Sequence, residues 1–167
     1  MPLLEQITPD GNSIGYKDSD VIHDEHLLHR AVHILIVDSL GRVYLRQRPQ
    51  TKKLYPGIWT SAIGAHVLEG YTPEKIAKES LWIFLHLAGE LIPIGKRKVE
   101  DEIENELVTF FLFRGETVPQ PNPEEAMDAG FFTRDEIDGL MEQGKTTPYV
   151  SVGLSLYRIY EEIHTSE

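Results

Sequence analysis

Glu104, Asn105 and Glu106 stand at the head of Leu107 to Arg114, an apolar, aromatic run that reads as a strand. Side chains two apart on a strand share one face, so both carboxylates point the same way, as joint ligation or shared acid–base work demands. The competing reading is a solvated turn, because the acidic run Glu100-Asp101-Glu102 lies just upstream. A second constellation is basic. Arg48 and Lys52 precede Pro56-Gly57-Ile58-Trp59, and a guanidinium with a nearby ammonium suits two adjacent phosphates. On residue type alone the plainer reading is two solvated cations.

These groups need elements to hold them. Leu3 to Tyr16 reads as a hairpin about the turn Pro9-Asp10-Gly11-Asn12, an added N-terminal ribbon. Asp18 to Glu25 is too polar for a core strand, and Ser19 is placed to cap a short helical turn there. Arg30 to Asp38 and Val43 to Arg48, joined by Ser39-Leu40-Gly41-Arg42, read as two paired core strands. Thr60 to Val67 predicts another strand, and Glu90 to Glu106 an extended segment broken by a charged turn. Thr72 as N-cap, Pro73 at the first helical position and Glu74 at the positive end of the dipole open one long helix, with Gly89 closing the segment. In its second half Leu81, Trp82, Ile83, Phe84 and Leu85 are apolar in succession. Such a helix asks for cover beyond one stripe, from a homodimer contact or from the folded-over ribbon. Prolines 119, 121 and 123 hold an extended loop, and Tyr149 to Ile163 carries helical spacing to the end.

The stretch from Gly64 to Leu87 resembles the Nudix superfamily, whose box is written G-x5-E-x7-R-E-U-x-E-E-x-G-U, with U aliphatic. Laid on this chain, the box glycines fall on Ala65 and His86, the first glutamate on Tyr71 and the arginine on Glu79. The remaining glutamates fall on Ser80, Ile83 and Phe84, and the aliphatic positions on Leu81 and Leu87. In the family those glutamates hold Mg²⁺ or Mn²⁺ beside a diphosphate, and neither Ile nor Phe offers a hard cation an oxygen. Glu69 and Glu79 are nearby carboxylates, but Glu79 sits one residue, or about 100°, round from the central position.

The resemblance narrows with L-H-R-A-V-H-I-L-I-V-D-S-L-G-R-V-Y-L-R-Q-R-P-Q-T-K-K-L-Y-P-G-I-W-T. This is similar to the Nudix subgroup related to isopentenyl diphosphate isomerase. From His29 onward it implies an α/β/α sandwich with a mixed central sheet, as a core of residues 29–167 within one domain of 1–167, the ribbon and lead-in being 1–28. It implies that Arg48, Lys52 and Trp59 serve a diphosphate substrate. It also implies a metal site from His29, His66, Glu104 and Glu106, with Glu104 and Glu106 as catalytic carboxylates. Two imidazoles and two carboxylates suit a borderline divalent ion such as Mn²⁺, Fe²⁺ or Zn²⁺, with Mg²⁺ the family's usual alternative. The position of the isomerase's catalytic cysteine falls on Gly64, which offers no group to move a proton at carbon.

The function so implied is hydrolysis of small diphosphate-linked molecules such as nucleoside diphosphate derivatives, weakened or lost with the box acids. A non-catalytic diphosphate-binding or dimerisation module is the alternative, and an isomerase-like enzyme, disfavoured by Gly64, the second. Composition bounds the rest. With 16 basic and 27 acidic residues the net charge is −11, which argues against nucleic acid as a general partner. The absence of cysteine excludes disulfides and thiolate chemistry and fits the reducing cytoplasm. No run is apolar and long enough for a bilayer span, and no signal peptide is evident.

Overall fold

In this computed structural model residues 2–165 are described. Met1, Ser166 and Glu167, which belong to the domain expected from the sequence, lie outside the described residues. The chain runs β1 (Leu3–Ile7), β2 (Ser13–Asp18), α1 (Ser19–Asp24), β3 (His29–Val37), β4 (Val43–Gln47), β5 (Trp59–Ser61), β6 (Ile63–His66), α2 (Pro73–Leu85), β7 (Ile92–Glu100), β8 (Asn105–Arg114), β9 (Asp128–Phe132), α3 (Arg134–Glu142) and α4 (Pro148–Thr165).

Strand β3 is the axis of a single mixed sheet. It is almost wholly apolar and buried, as a strand covered on both faces must be. Along one edge it pairs in parallel with β8 through nine residues, from His29↔Glu106 to Val37↔Arg114. Three strands share its other edge. β1 meets it at Gln6↔His29, β6 runs antiparallel from Ala31↔His66 to Ile34↔Ile63, and β4 meets it at Val37↔Val43. The expected hairpin of β3 with β4 is therefore reduced to that one pair. Because β6 takes the backbone groups of residues 31–34, β4 turns away to pair with β5 and β9.

The strand expected over 60–67 is divided for the same reason. β5 pairs with β4 and β6 with β3, and at the break Ser61 Oγ donates to the Ile63 carbonyl at 3.0 Å. Alternation along β3 sends Val32, Ile34 and Ile36 to one face, where they pack with Ile76, Ala77, Leu81 and Leu85 of α2. Leu35 and Val37 go to the other face, against Ile137 of α3 and Val150, Leu154 and Tyr157 of α4. The architecture is an α/β/α sandwich.

Helix α2 begins as its sequence demands, Thr72 Oγ1 accepting from the Lys75 amide at 3.2 Å with Pro73 at the first position. It ends earlier than expected. His86, with φ 53° and ψ 35°, is the left-handed terminator in place of Gly89. Trp82 and Ile83 are 57% and 64% exposed. The ribbon does not cover them. It lies along the preceding loop, where Leu4 bridges Leu68 and the Glu69 amide donates to the Leu3 carbonyl. Helix α1 also differs in detail, since Ser19 is its first residue and Asp18 occupies the N-cap without a side-chain bond. Among the described residues no helix is long and apolar enough to cross a membrane.

Gly153 lets α4 approach the sheet, because a Cβ there would lie 3.2 Å from the Phe110 ring and 3.3 Å from Leu35. Gly153→Val should destabilise the protein by ~1–3 kcal/mol, the cost of overpacking a close-packed interior. An unchanged denaturant midpoint would show that α4 has slack against β8.

Candidate functional site

The pairing of β3 with β8 sets His29 beside Glu106, and the pairing with β6 sets His66 beside Ala31. His29, Ala31 and His33 then alternate onto the face away from α2. Two further groups close in from outside the sheet. Helix α1 buries Ile22 and brings its neighbour His23 inward. The turn before β8 brings in Glu104, whose amide donates to Asp101 Oδ1 at 2.8 Å. Glu104 is buried at 5% exposure, so it is no solvated turn residue.

The three imidazoles of His23, His29 and His66 form a near-equilateral triangle, with ring centroids 4.9 to 5.2 Å apart. His29 Nε2 lies 3.0 Å from Glu106 Oε2, His66 Nε2 3.4 Å from the same oxygen, and His23 Nε2 3.4 Å from Glu104 Oε1. The tautomers of two of them follow from their outer bonds. His23 Nδ1 sits 2.7 Å from the Ser19 carbonyl and His29 Nδ1 2.9 Å from the Leu27 carbonyl. A carbonyl only accepts, so each Nδ1 donates and each Nε2 faces inward, towards carboxylate oxygens. Lone pairs cannot face lone pairs in a buried site unless a proton or a metal cation lies between them.

Two of those inward atoms, His23 Nε2 and Glu104 Oε2, are sealed from solvent and have no hydrogen-bond partner. Ligand atoms of His23, His29, His66 and Glu104 all lie within 4.8 Å of one another. The residues therefore fit a divalent ion of the Mn²⁺, Fe²⁺ or Zn²⁺ type, with Glu106 beside them. Charge is arranged to match. Glu104 lifts the His23 pKa to about 9 against the opposing pull of burial. Burial works to raise the Glu106 pKa, but the neighbouring imidazoles of His29 and His66 outweigh it and hold this carboxyl well below its usual range. The Tyr149 hydroxyl, kept neutral chiefly by burial, donates to Glu106 Oε1.

His66, Glu104 and Glu106 also form one wall of a cavity of about 160 Å³. Arg46, Arg48, His33, Gly64 and Tyr149 are among its other lining residues. Arg48 is anchored by its Nε on the Leu54 carbonyl at 2.7 Å. Arg46 donates to the carbonyls of Ser61 and Ala62 at 3.1 Å each, and burial lowers its pKa only to about 10, so it stays cationic. Of the residues expected from the sequence, His29, His66, Glu104, Glu106 and Arg48 are thus brought together. Lys52 is not among the lining groups and pairs with Glu125 at 3.6 Å, while Trp59 packs edge-on against Phe132. Sequence reasoning passed over His23, Arg46, His33 and Tyr149. The signal for His23 was a histidine next to the one apolar pair, Val21-Ile22, in a polar segment, six residues before His29.

No family model matches the chain. It is similar to an isopentenyl-diphosphate Delta-isomerase of Serratia proteamaculans, at 31% identity over 129 residues covering 74% of this chain and 72% of that protein. It is also similar to an uncharacterized Nudix hydrolase of Listeria monocytogenes, at 25% identity over 126 residues and 73% of each. Among solved structures, a Deinococcus radiodurans protein designated DR0079 superposes with a TM-score of 0.76 over 95% of this chain and 99% of that one, at 15% identity. A MutT protein from Methanosarcina mazei superposes with a TM-score of 0.64 over 81% and 94%, at 14% identity. At such identities the structural likeness speaks to the fold.

The His23 shift gives a pH dependence for the metal-free protein. With a folded-state pKa of about 9 against 6.5 unfolded, the folded chain holds a proton that the unfolded chain releases between these values. The stability this contributes is full below pH 6.5 and lost as pH rises towards 9. In chelator-treated protein the denaturant midpoint should fall over that window, and His23→Gln should flatten the fall. An equally steep fall in the variant would assign the proton elsewhere.

Proposed function

The chain belongs to the Nudix superfamily, in the branch that resembles isopentenyl-diphosphate isomerase, and from that premise we propose that it binds a small diphosphate-linked molecule beside a divalent ion and hydrolyses it slowly. The observation that carries this reading is the convergence of a three-histidine, two-carboxylate cluster and two anchored guanidiniums on one cavity. An ion held by His23, His29, His66 and the carboxylates would supply Lewis-acid polarisation of a phosphoryl oxygen. Arg48 and Arg46 would take the diphosphate, their fixed forks matching its oxygens. Glu106, ionised and fixed by Tyr149 and the histidines, would orient the attacking water, with Glu104 completing the ligand set.

The isomerase alternative lacks support at residue 64, a glycine with no proton to give or take at carbon. Binding without turnover remains the second reading, and α2 favours it. Ser80 is buried while Ile83 and Phe84 are exposed hydrocarbon, so these positions offer no carboxylate to a second ion.

With Mg²⁺, Mn²⁺ or Zn²⁺ and a panel of nucleoside diphosphate derivatives, phosphate release should run at least ~10³-fold below ordinary metal-assisted rates, given the several kcal/mol that a well-placed ion contributes. Isopentenyl diphosphate should not isomerise. A rate typical of the superfamily on any panel member would overturn the weak-hydrolase reading, and isomerisation abolished by Glu106→Gln would restore the isomerase. For the anion site, Arg48→Ala should weaken inorganic diphosphate binding, measured by calorimetry, by ~1–3 kcal/mol. Unchanged affinity would remove Arg48 from the site.

A further inference from the structure

One group on the cavity wall has no part in holding metal or diphosphate. His33 is 6% exposed, and its imidazole is fixed on three sides. Its Nδ1 lies 2.6 Å from Ser61 Oγ. Since the Ser61 hydroxyl donates to the Ile63 carbonyl, the serine oxygen accepts here and Nδ1 carries the hydrogen. The Tyr149 ring stacks on the imidazole, with centroids 3.9 Å apart and planes 11° from parallel. On the third side stands Gly64, where a Cβ would lie 2.6 Å from His33 Cε1 and 2.9 Å from Nε2. The imidazole fills the space that a side chain on residue 64 would need.

This tautomer leaves a lone pair on Nε2. Among the described residues no protein group hydrogen-bonds to it, and it is not one of the sealed unpartnered atoms, which are His23 Nε2, Glu104 Oε2 and Asn105 Oδ1. It therefore opens onto the cavity that His33 and Gly64 both line. Burial lowers the His33 pKa to about 3. The ring is neutral at ordinary pH and too weak a base to draw a proton from a substrate, which leaves it the role of hydrogen-bond acceptor. The matching donor on a ligand is a hydroxyl.

We propose that His33 is a specificity-determining residue, its Nε2 accepting a hydrogen bond from a hydroxyl on the organic part of the diphosphate ligand. This rests on reading the cavity as a diphosphate pocket. A ligand with hydrocarbon at that place displaces water from Nε2 and leaves the acceptor unpaired, and an unpaired buried polar group is what rejects an otherwise similar molecule.

The test uses the full chain with Mn²⁺ and two probes, 2-hydroxyethyl diphosphate and ethyl diphosphate, titrated by calorimetry. The wild type should bind the hydroxylated probe at least ~10-fold more tightly, about one net hydrogen bond's worth. His33→Phe, which keeps a ring over Gly64, should bring the two within about twofold, the ethyl probe binding more tightly than to the wild type because no acceptor is then left unpaired. A second readout needs no variant. In imidazole-¹⁵N-labelled protein the His33 Nε2 signal should lie at the unprotonated position and move with the hydroxylated probe alone. Equal binding of both probes by the wild type, or a protonated Nε2, overturns the role of His33 and leaves the diphosphate reading standing. Failure of both probes to bind at all overturns both.

Discussion

The parallel pairing of β3 with β8 is the constraint on which the rest depends. Nine registered residue pairs fix His29 against Glu106 at one end and Val37 against Arg114 at the other. Side chains alternate with period two, so a slip of one residue would turn His29 and His33 onto the α2 face and bring Val32 and Ile34 out among the carboxylates. The burial of Ile34, Ile36, Phe111 and Phe113 against α2 forbids that slip. The hydrophobic core on one face thus sets the polar site on the other. The alternating pattern that gives a sheet its core also delivers acceptors and cations to a single place.

That place is electrostatically incomplete by itself. Two buried carboxylates and two imidazoles fixed by outer carbonyls present acceptor atoms to one another, and protonation of His23 relieves the conflict only in part. Glu104 Oε2 still has no partner. A divalent ion would meet every inward lone pair at once, which a proton on one ring cannot do. The same field explains why the anchored, part-buried guanidiniums of Arg46 and Arg48 are tolerated. Each spends donors on carbonyls and lines a cavity that Glu104 and Glu106 also line. An anionic ligand there would pair with the guanidiniums and with an ion held by the cluster, a more favourable arrangement than bare burial of either set.

Much of this was legible in the chain, and the part that was not has a physical reason. The β-branched run of β3, the Thr72-Pro73 helix start and the Glu104-x-Glu106 alternation are local signals, and each appears where its local chemistry demands. Pairing is not local. Nothing within residues 29–48 says that β6, rather than β4, will take the middle of β3, since that depends on β5 and β6 breaking at Ala62 and changing partner. His23 escaped notice for a related reason. A six-residue helix carries too few turns to display a face, and its inward side is set by the sheet edge it packs on. Lys52 and Trp59 show the converse case. Their sequence neighbourhood fits the resemblance, yet Lys52 pairs with Glu125 and Trp59 packs edge-on against Phe132.

Residues 33 and 64 on the pocket wall are coupled by packing. Residue 64 can be glycine here because His33, directly opposite it in the β3–β6 pairing, occupies the volume above it. Conversely His33 can be accommodated only while residue 64 has no Cβ, because contact at 2.6 Å is well inside any real approach. The imidazole is also clamped by Tyr149, which reaches it because α4 lies close enough to β8 for Gly153 to meet Phe110. Placing a side chain at residue 64 alone would therefore expel His33, unstack Tyr149 and loosen the donor that holds Glu106. The bare backbone at residue 64 and the imidazole of His33 are two halves of one packing solution, carried from the cavity wall through Tyr149 to the histidine–glutamate cluster.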